Sequence, residues 1–368
     1  MPVKRQTGKL ANWQTDMLTE ILKIDPENPS FDVIRKAADY ISRGKLVVIP
    51  TETVYGIAAD AANAAAINRL YEVKKRPKNK PFAVCVSRKE AIEDLAQDIS
   101  PLAYKLADKF WPGPLTLVLK SKNNGTIGLR MPDNAVAWQI IENAGVHVVL
   151  PSANLSGNRA PIEVKEVLKD LDGLVDLAVD SGKTKLGVES TIVDVSLAVV
   201  KILRAGAIKS EEIERIVKLK RVLFVCTGNS CRSVMAQGLL EKALKEKKKP
   251  DVEVMSAGIS VPFGMGPTQE TLNLLSKEGV DMTGYRSRAV NALMLKSTDL
   301  ILVMEDVHEK RVLDIAPVVK NRVYLVKEFA KISADDLNIP DPIGQGGDYY
   351  SKTFYMIKQA VDKIAEIV

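Results

Sequence analysis

The chain has 368 residues, 46% hydrophobic and 27% charged, enough for roughly two domains at about 150 residues each and too apolar for a disordered chain. Three cysteines (Cys85, Cys226, Cys231) and two histidines (His147, His308) exclude a disulfide scaffold and a structural zinc site, which needs about four closely spaced Cys/His ligands. The net charge of +6 is mild and spread over both halves, so no chain-wide basic footprint for nucleic acid exists. No apolar run approaches the ~18 residues of a membrane span, and the N-terminus lacks the apolar core of a signal peptide. The expectation is a cytoplasmic protein with no membrane partner.

Residues 1–18 are polar and unpatterned and read as a flexible tail. Strands are predicted at 45–50, 115–119, 146–151, 175–180, 190–195 and 199–204, with helices at 61–73, 89–109, 133–144 and 161–171. A short charged helix at 211–218 is the candidate linker. The rhythm then restarts: strand 221–225, helix 232–247, strand 252–256, helix 267–278, strand 299–304, helix 306–315, strand 322–326 and helix 348–366. Four βα units in succession predict a doubly wound, four-stranded parallel sheet. The chain is thus expected to be α/β throughout, with domains at 19–215 and 220–368 and a boundary near 218.

The eight residues CTGNSCRS (226–233) follow a buried strand and open a helix. Such a loop can turn its backbone N–H groups (Thr227, Gly228, Asn229, Ser230, Cys231) onto a tetrahedral oxyanion at a helix N-terminus. Gly228 is expected to allow the tight curvature, and Arg232 to give a phosphoryl group two parallel hydrogen bonds. The same field would lower the Cys226 pKa and make it a nucleophile that forms a phosphocysteine. Ser233 would hydrogen-bond the departing thiolate. A lone Cys-x(5)-Arg arises by chance, and a strand-end cysteine is usually a packing residue. Here the strand, the glycine and the hydroxyls surround it.

Residues 220–368 resemble the low-molecular-weight protein tyrosine phosphatase family, whose active-site loop is similar to VLFVCTGNSCRS. The resemblance implies a flavodoxin-like fold and a phosphorylated protein as substrate. It also implies a general acid on a distant Asp-Pro loop, here Asp341-Pro342, which alone would be an ordinary turn. Ser230 is a small hydroxyl residue where tyrosine-specific members commonly carry a bulky aliphatic. The acid loop DPIGQGG lacks flanking aromatics, although Tyr349 and Tyr350 follow it. Both features lean toward phosphoarginine-like or promiscuous phosphoester substrates. Tyr285 stands where related motifs carry histidine, and Val234 where proline is usual. No cysteine follows Cys231, which excludes a thiol-relay arsenate reductase. Cys231 is read equally as a redox partner of Cys226 and as a small packing residue.

In the first half, PTETVYG (50–56), KKRPKNKP (74–81), WPGPLTLVL (111–119), GLRMP (128–132), PSANLSG (151–157), GVESTIVD (187–194) and ILRAGAI (202–208) pair hydroxyls with basic residues. None is a Walker A or GxGxxG motif. By itself the basic run Lys74, Lys75, Arg76, Lys78, Lys80 is an ordinary solvated helix terminus. In this order, however, residues 19–215 resemble the YrdC-like threonylcarbamoyl-AMP synthases. That resemblance implies an open, twisted α/β sheet with a basic cleft. It implies conversion of L-threonine, bicarbonate and ATP (with Mg²⁺) to threonylcarbamoyl-AMP for tRNA modification, binding of double-stranded RNA, and tRNA or its modification machinery as partner. By the same carry-over, Lys74, Arg76, Lys78, Ser152, Asn154 and Arg204 face ATP, and Thr51, Arg130 and Ser190 hold L-threonine. No protein side chain is expected to ligate a metal. Cys85 replaces a histidine common in the family.

Rival readings remain. The first domain reads alternatively as an RNA-binding module without synthase chemistry, or as a carbamoyl-transfer module, though the acylphosphatase and zinc-finger regions that accompany such modules are missing. The second reads alternatively as a non-catalytic phosphate sensor, against which Cys226, Arg232 and Asp341 argue.

Overall fold

The computed structural model describes residues 18–261, 264–333 and 335–368. The expected tail lies outside them except for Leu18. Among the described residues, fourteen strands form two sheets. The first strands are β1 (Glu20–Lys23), β2 (Val47–Ile49), β3 (Gly56–Asp60), β4 (Val84–Cys85), β5 (Leu115–Lys120), β6 (Thr126–Arg130), β7 (Val148–Val149), β8 (Leu177–Asp180), β9 (Thr191–Asp194) and β10 (Lys201–Arg204). They make a ten-stranded mixed sheet in the order β1-β8-β2-β3-β7-β4-β6-β5-β9-β10. Strands β2 and β3 are buried at every residue, as a sheet covered on both faces requires. On one face the helices Phe31–Ser42 and Ala135–Ala144 pack Ile34, Ala37, Ile41, Val136 and Ile140 against Val47, Ile49, Leu177 and Val179.

The second sheet holds β11 (Lys220–Cys226), β12 (Val252–Gly258), β13 (Leu300–Val303) and β14 (Val323–Leu325). All its pairings are parallel, in the order β12-β11-β13-β14. This is the expected doubly wound sheet, with the switch point at the end of β11. Residues of β11 alternate between two cores. Val222, Phe224 and Cys226 face the helices Arg232–Glu246 and Gly347–Ile367, while Leu223 and Val225 join Ile301, Val303 and Val312 on the opposite face. That period of two is the pleat of the strand.

By contact density the chain separates into two units. One takes the chain through Ile92 together with Pro112–Thr116 and Ile127–Ile192; the other takes Glu93–Trp111, Leu117–Thr126 and Val193–Val368. The division cuts β5, β6 and β9. Several elements differ from expectation. The helix predicted over 89–109 is broken, because Asp98 turns left-handed at φ 49° and Pro101 restarts the helix behind a Ser100 cap. The strand expected over 146–151 shrinks to Val148–Val149. Strands β1 and β3 and the helices Phe31–Ser42, Ala292–Lys296 and Val326–Phe329 add to the predicted set. Among the described residues no helix is long and apolar enough to cross a membrane.

Two candidate active sites

In the second unit, β11 ends at Cys226 and the next helix starts at Arg232, so residues 226–232 form a closed cup at a helix N-terminus. Cys226 Sγ lies 2.9 Å from Ser233 Oγ and accepts the Asn229 backbone N–H at 3.3 Å. Asn229 is wholly buried, sits at φ 53°, and is the hub of the cup. Its Nδ2 donates to Ser233 Oγ at 2.9 Å and to Ser256 Oγ at 3.0 Å. Its Oδ1 accepts from Tyr285 OH at 2.7 Å and from Arg288 N at 2.9 Å, and its carbonyl accepts from Ser287 Oγ at 2.6 Å. Because Ser233 Oγ already accepts from Asn229, its own proton is free to point at Cys226 Sγ. Tyr285, which departs from the usual histidine, fixes the hub through its hydroxyl.

The curvature is not where the sequence places it. Gly228 has no steric need to be glycine, since an added Cβ would meet only Ser230 Oγ, at 3.5 Å. The left-handed residue is Asn229, whose short polar side chain tolerates that conformation. The glycine that the cup requires is Gly258 at the end of β12, where a Cβ would sit 2.5 Å from Thr227 O and 3.0 Å from Asn229 N, both backbone atoms. Gly258→Ala is therefore expected to destabilise the protein by ~1–3 kcal/mol and to lower aryl-phosphate hydrolysis at least about tenfold by displacing the cup. Thermal melting and steady-state kinetics of the variant check this.

Arg232 is 1% exposed. Its Nη1 donates to Glu305 Oε2 and to the Ile339 carbonyl (2.9 Å), and its Nη2 to Asp341 Oδ2 and to Thr227 Oγ1 (3.1 Å). The general-acid candidate is thus brought to the cup through the arginine. Glu305 and His308 were not anticipated. His308 is buried, and its Nε2 lies 2.9 Å from Thr227 Oγ1. Burial first, and then the Arg232 charge, pull its pKa down to about 4, so it is neutral at pH 7. The Cys226 thiol is pushed above its ordinary value by burial, against the opposing pull of Ser233, Arg232 and Asn229. The sequence reading expects the reverse. The difference is physical: removing the thiol from water outweighs the hydrogen bonds and the Arg232 charge that favour the thiolate. Cys231 Sγ packs 3.5 Å from Tyr350 OH and from Thr268 Oγ1 and 3.7 Å from Ser230 Oγ. Of the two tyrosines after the acid loop, Tyr350 is buried and Tyr349 is exposed.

In the first unit the helix Ala64–Lys74 is capped by Asn63 and ends at Lys75 in the left-handed region, φ 49°. This delivers Lys74 inward. Its Nζ donates to the Ser152 and Asn154 carbonyls (2.8 Å for the latter) and reaches Asn154 Oδ1 at 3.4 Å. Burial, reinforced by Arg76 and opposed by Glu189, pulls its pKa down to about 8. Lys74, Ser152 and Asn154 therefore form one cluster, as expected of an ATP site. Arg76 and Lys78 turn elsewhere: Arg76 donates to the Lys80 (2.9 Å) and Pro81 (3.1 Å) carbonyls, and Lys78 to Asn68 Oδ1 (2.9 Å). Arg204 closes β10 in the other unit.

Arg130, at the end of β6, donates through Nη2 to Glu52 Oε1 and Thr53 Oγ1, both at 2.8 Å. Thr53 Oγ1 lies 2.8 Å from Thr51 Oγ1, which donates to the Val54 carbonyl at 2.7 Å. Ser190 Oγ lies 3.0 Å from Thr116 Oγ1. Cys85 is in register with Arg130 across β4 and β6, and burial pushes its thiol up to about 12. Glu52 was missed, although it lies inside the PTETVYG motif that offers the Thr51 and Thr53 hydroxyls. Among the described residues no cluster of three or more Asp, Glu, His and Cys side chains is arranged to hold a metal.

A family model described as "Telomere recombination" (Sua5/YciO/YrdC) matches residues 39–206, and that of the low-molecular-weight phosphotyrosine protein phosphatases matches residues 221–368. Threonylcarbamoyl-AMP synthase of Pyrococcus abyssi is 38% identical over 215 residues, 56% of this chain and 63% of that protein; this chain thus spans less than two thirds of that relative. A putative threonylcarbamoyl-AMP synthase of Methanocaldococcus jannaschii is 38% identical over 48% of this chain and 86% of that protein. The crystal structure of P. abyssi Sua5 complexed with L-threonine aligns at 26% identity and TM-score 0.52, covering 83% of this chain and 99% of that one. A low-molecular-weight protein tyrosine phosphatase of T. tengcongensis is 34% identical over 40% of this chain and 99% of that one, with a TM-score of 0.38.

Proposed function

We propose, since the chain belongs to the YrdC-like threonylcarbamoyl-AMP synthase family in its first part and to the low-molecular-weight phosphotyrosine protein phosphatase family over residues 221–368, that it is a bifunctional enzyme. On this reading residues 19–215 condense L-threonine, bicarbonate and ATP to threonylcarbamoyl-AMP for tRNA modification, and residues 220–368 hydrolyse a phosphorylated protein side chain. The observation that carries it is the Cys226–Ser233–Asn229 cup with Arg232 beneath it and Asp341 on that arginine. Every group needed for attack, charge neutralisation and leaving-group protonation converges there.

In the phosphatase, Cys226, deprotonated to the thiolate with its proton released to solvent, attacks phosphorus as the bond from phosphorus to the leaving atom breaks. Arg232 exchanges its carboxylate partners for two phosphoryl oxygens, and Asp341 protonates the leaving atom. Ser233, oriented by Asn229, steadies the thiolate on hydrolysis of the phosphocysteine. Ser230, small and 9% exposed, favours a phosphoarginine-like side chain over a bulky aromatic one. In the synthase, Lys74 with Ser152 and Asn154 neutralises and orients the triphosphate of MgATP, while Arg130 takes the threonine carboxylate. The separate reading of the first domain as an RNA module predicts no threonine-dependent chemistry.

One protein preparation tests both halves. Pyrophosphate release from ATP and bicarbonate is expected to depend on L-threonine and to be unchanged in Cys226→Ser. The same variant is expected to lose aryl-phosphate hydrolysis at least about 10³-fold. Equal hydrolysis by the two proteins overturns the phosphatase assignment; pyrophosphate release independent of threonine overturns the synthase assignment.

A further inference from the structure

Two charged atoms of the first unit are buried without partners: Glu52 Oε2 and Arg130 Nε. Glu52 is 3% and Arg130 8% exposed. Their ion pair uses one contact only, Arg130 Nη2 to Glu52 Oε1, where an arginine and a carboxylate ordinarily close on each other through two parallel hydrogen bonds. The turn that carries Glu52 is held from outside, since its carbonyl accepts from Leu186 N at 2.8 Å and that of Thr53 from Gly187 N at 3.0 Å. The half-open pair is therefore a property of a fixed backbone. Buried polar atoms left unsatisfied in a charged pair are costly, and in native proteins they call for a ligand or a function. Cys85, the thiol beside the pair, is neutral and adds no charge. An anion alone would satisfy Arg130 and leave Glu52 wanting, and a cation alone the reverse. A ligand carrying both charges one carbon apart satisfies both.

We infer that Glu52 is a binding residue for the α-ammonium group of a free amino acid, with Arg130 taking that molecule's carboxylate. This inference rests on the threonine-consuming reading of the first domain and gives it a zwitterion receptor. Specificity for an amino acid over a hydroxy acid then resides in Glu52, not in the arginine.

Calorimetric titration of the full chain with L-threonine and with 2,3-dihydroxybutanoate, which carries a hydroxyl in place of the ammonium, tests the inference. The wild-type protein is expected to prefer L-threonine by about tenfold to a hundredfold, the value of one charge-assisted hydrogen bond. Glu52→Gln is expected to reduce that preference below about threefold while binding ATP as the wild type does. An unchanged preference in a variant that still binds ATP overturns the inference and leaves the synthase reading standing. Failure of the wild type to bind L-threonine overturns both. Should Glu52→Gln not fold, Glu52→Asp carries the same test: its shorter carboxylate lowers the preference at least about threefold, and an unaltered preference overturns the inference.

Discussion

Arg232→Lys is expected to lower kcat/KM for aryl-phosphate hydrolysis at least about 10³-fold, although charge is conserved. Lysine is a point charge with no fixed fork and cannot give two parallel hydrogen bonds to an in-flight phosphoryl group. In this protein the substitution does more, because Arg232 also carries the Asp341 loop: Nη1 donates to the Ile339 carbonyl and Nη2 to the Asp341 carboxylate. A lysine ammonium cannot serve Glu305, Ile339, Thr227 and Asp341 together, so general acid and anion site lose register at once. Steady-state kinetics on an aryl phosphate, with the melting temperature as a control on folding, give the measurement. Activity within tenfold of the wild type would falsify the assigned role.

Lys74 gives the second large effect. Lys74→Ala is expected to weaken ATP binding about a hundredfold, the order lost when a buried charged hydrogen-bond donor to phosphate is removed. Of the three Nζ contacts, that to Asn154 Oδ1 at 3.4 Å is the longest, and it is the one that a phosphate oxygen is expected to replace. Burial holds the Lys74 pKa near 8 against an ordinary 10.5. The folded protein therefore binds fewer protons than the unfolded chain between pH 8 and 10.5. Below pH 8 the charged, buried amine costs stability, by ~3 kcal/mol at full effect. That cost fades as pH rises through this window. ATP reverses the shift, since polyphosphate favours the ammonium form. Wild-type binding near pH 8 should take up a fraction of a proton, and ATP affinity should fall from pH 7 to pH 9. Lys74→Ala should show neither trend. Calorimetry in two buffers of different ionisation enthalpy reads the proton count directly; a count of zero removes Lys74 from the phosphate site.

Both sites were legible in proportion to how local they are. Cys226, Asn229, Arg232 and Ser233 lie within eight residues, and a contiguous loop between strand and helix announces its own shape. Asp341 was readable because Asp-Pro has meaning once the loop is known. Ser256, Gly258 and Glu305 come from the ends of other strands and His308 from the helix that follows β13, and only the sheet order β12-β11-β13 brings them together. No spacing in the chain encodes that. Glu52 is a different failure. It stood inside a motif already singled out, but its meaning depends on Arg130, 78 positions away. The helix Phe31–Ser42 was legible and overlooked: Ile34, Ala37, Ala38 and Ile41 follow the i, i+3, i+4, i+7 spacing of a buried face. The break near Asp98 was written in Ser100-Pro101.

On the phosphatase reading, the two carboxylates on Arg232 are expected to make the cup selective by valence. Any anion entering must separate the guanidinium from both Glu305 and Asp341. A phosphoryl dianion presents two charges and several oxygens and replaces what it removes. A chloride, a nitrate or a carboxylate presents one charge and leaves the exchange incomplete. On the phosphatase reading, monovalent anions are therefore expected to compete poorly at this loop with ligands that carry a full phosphoryl charge.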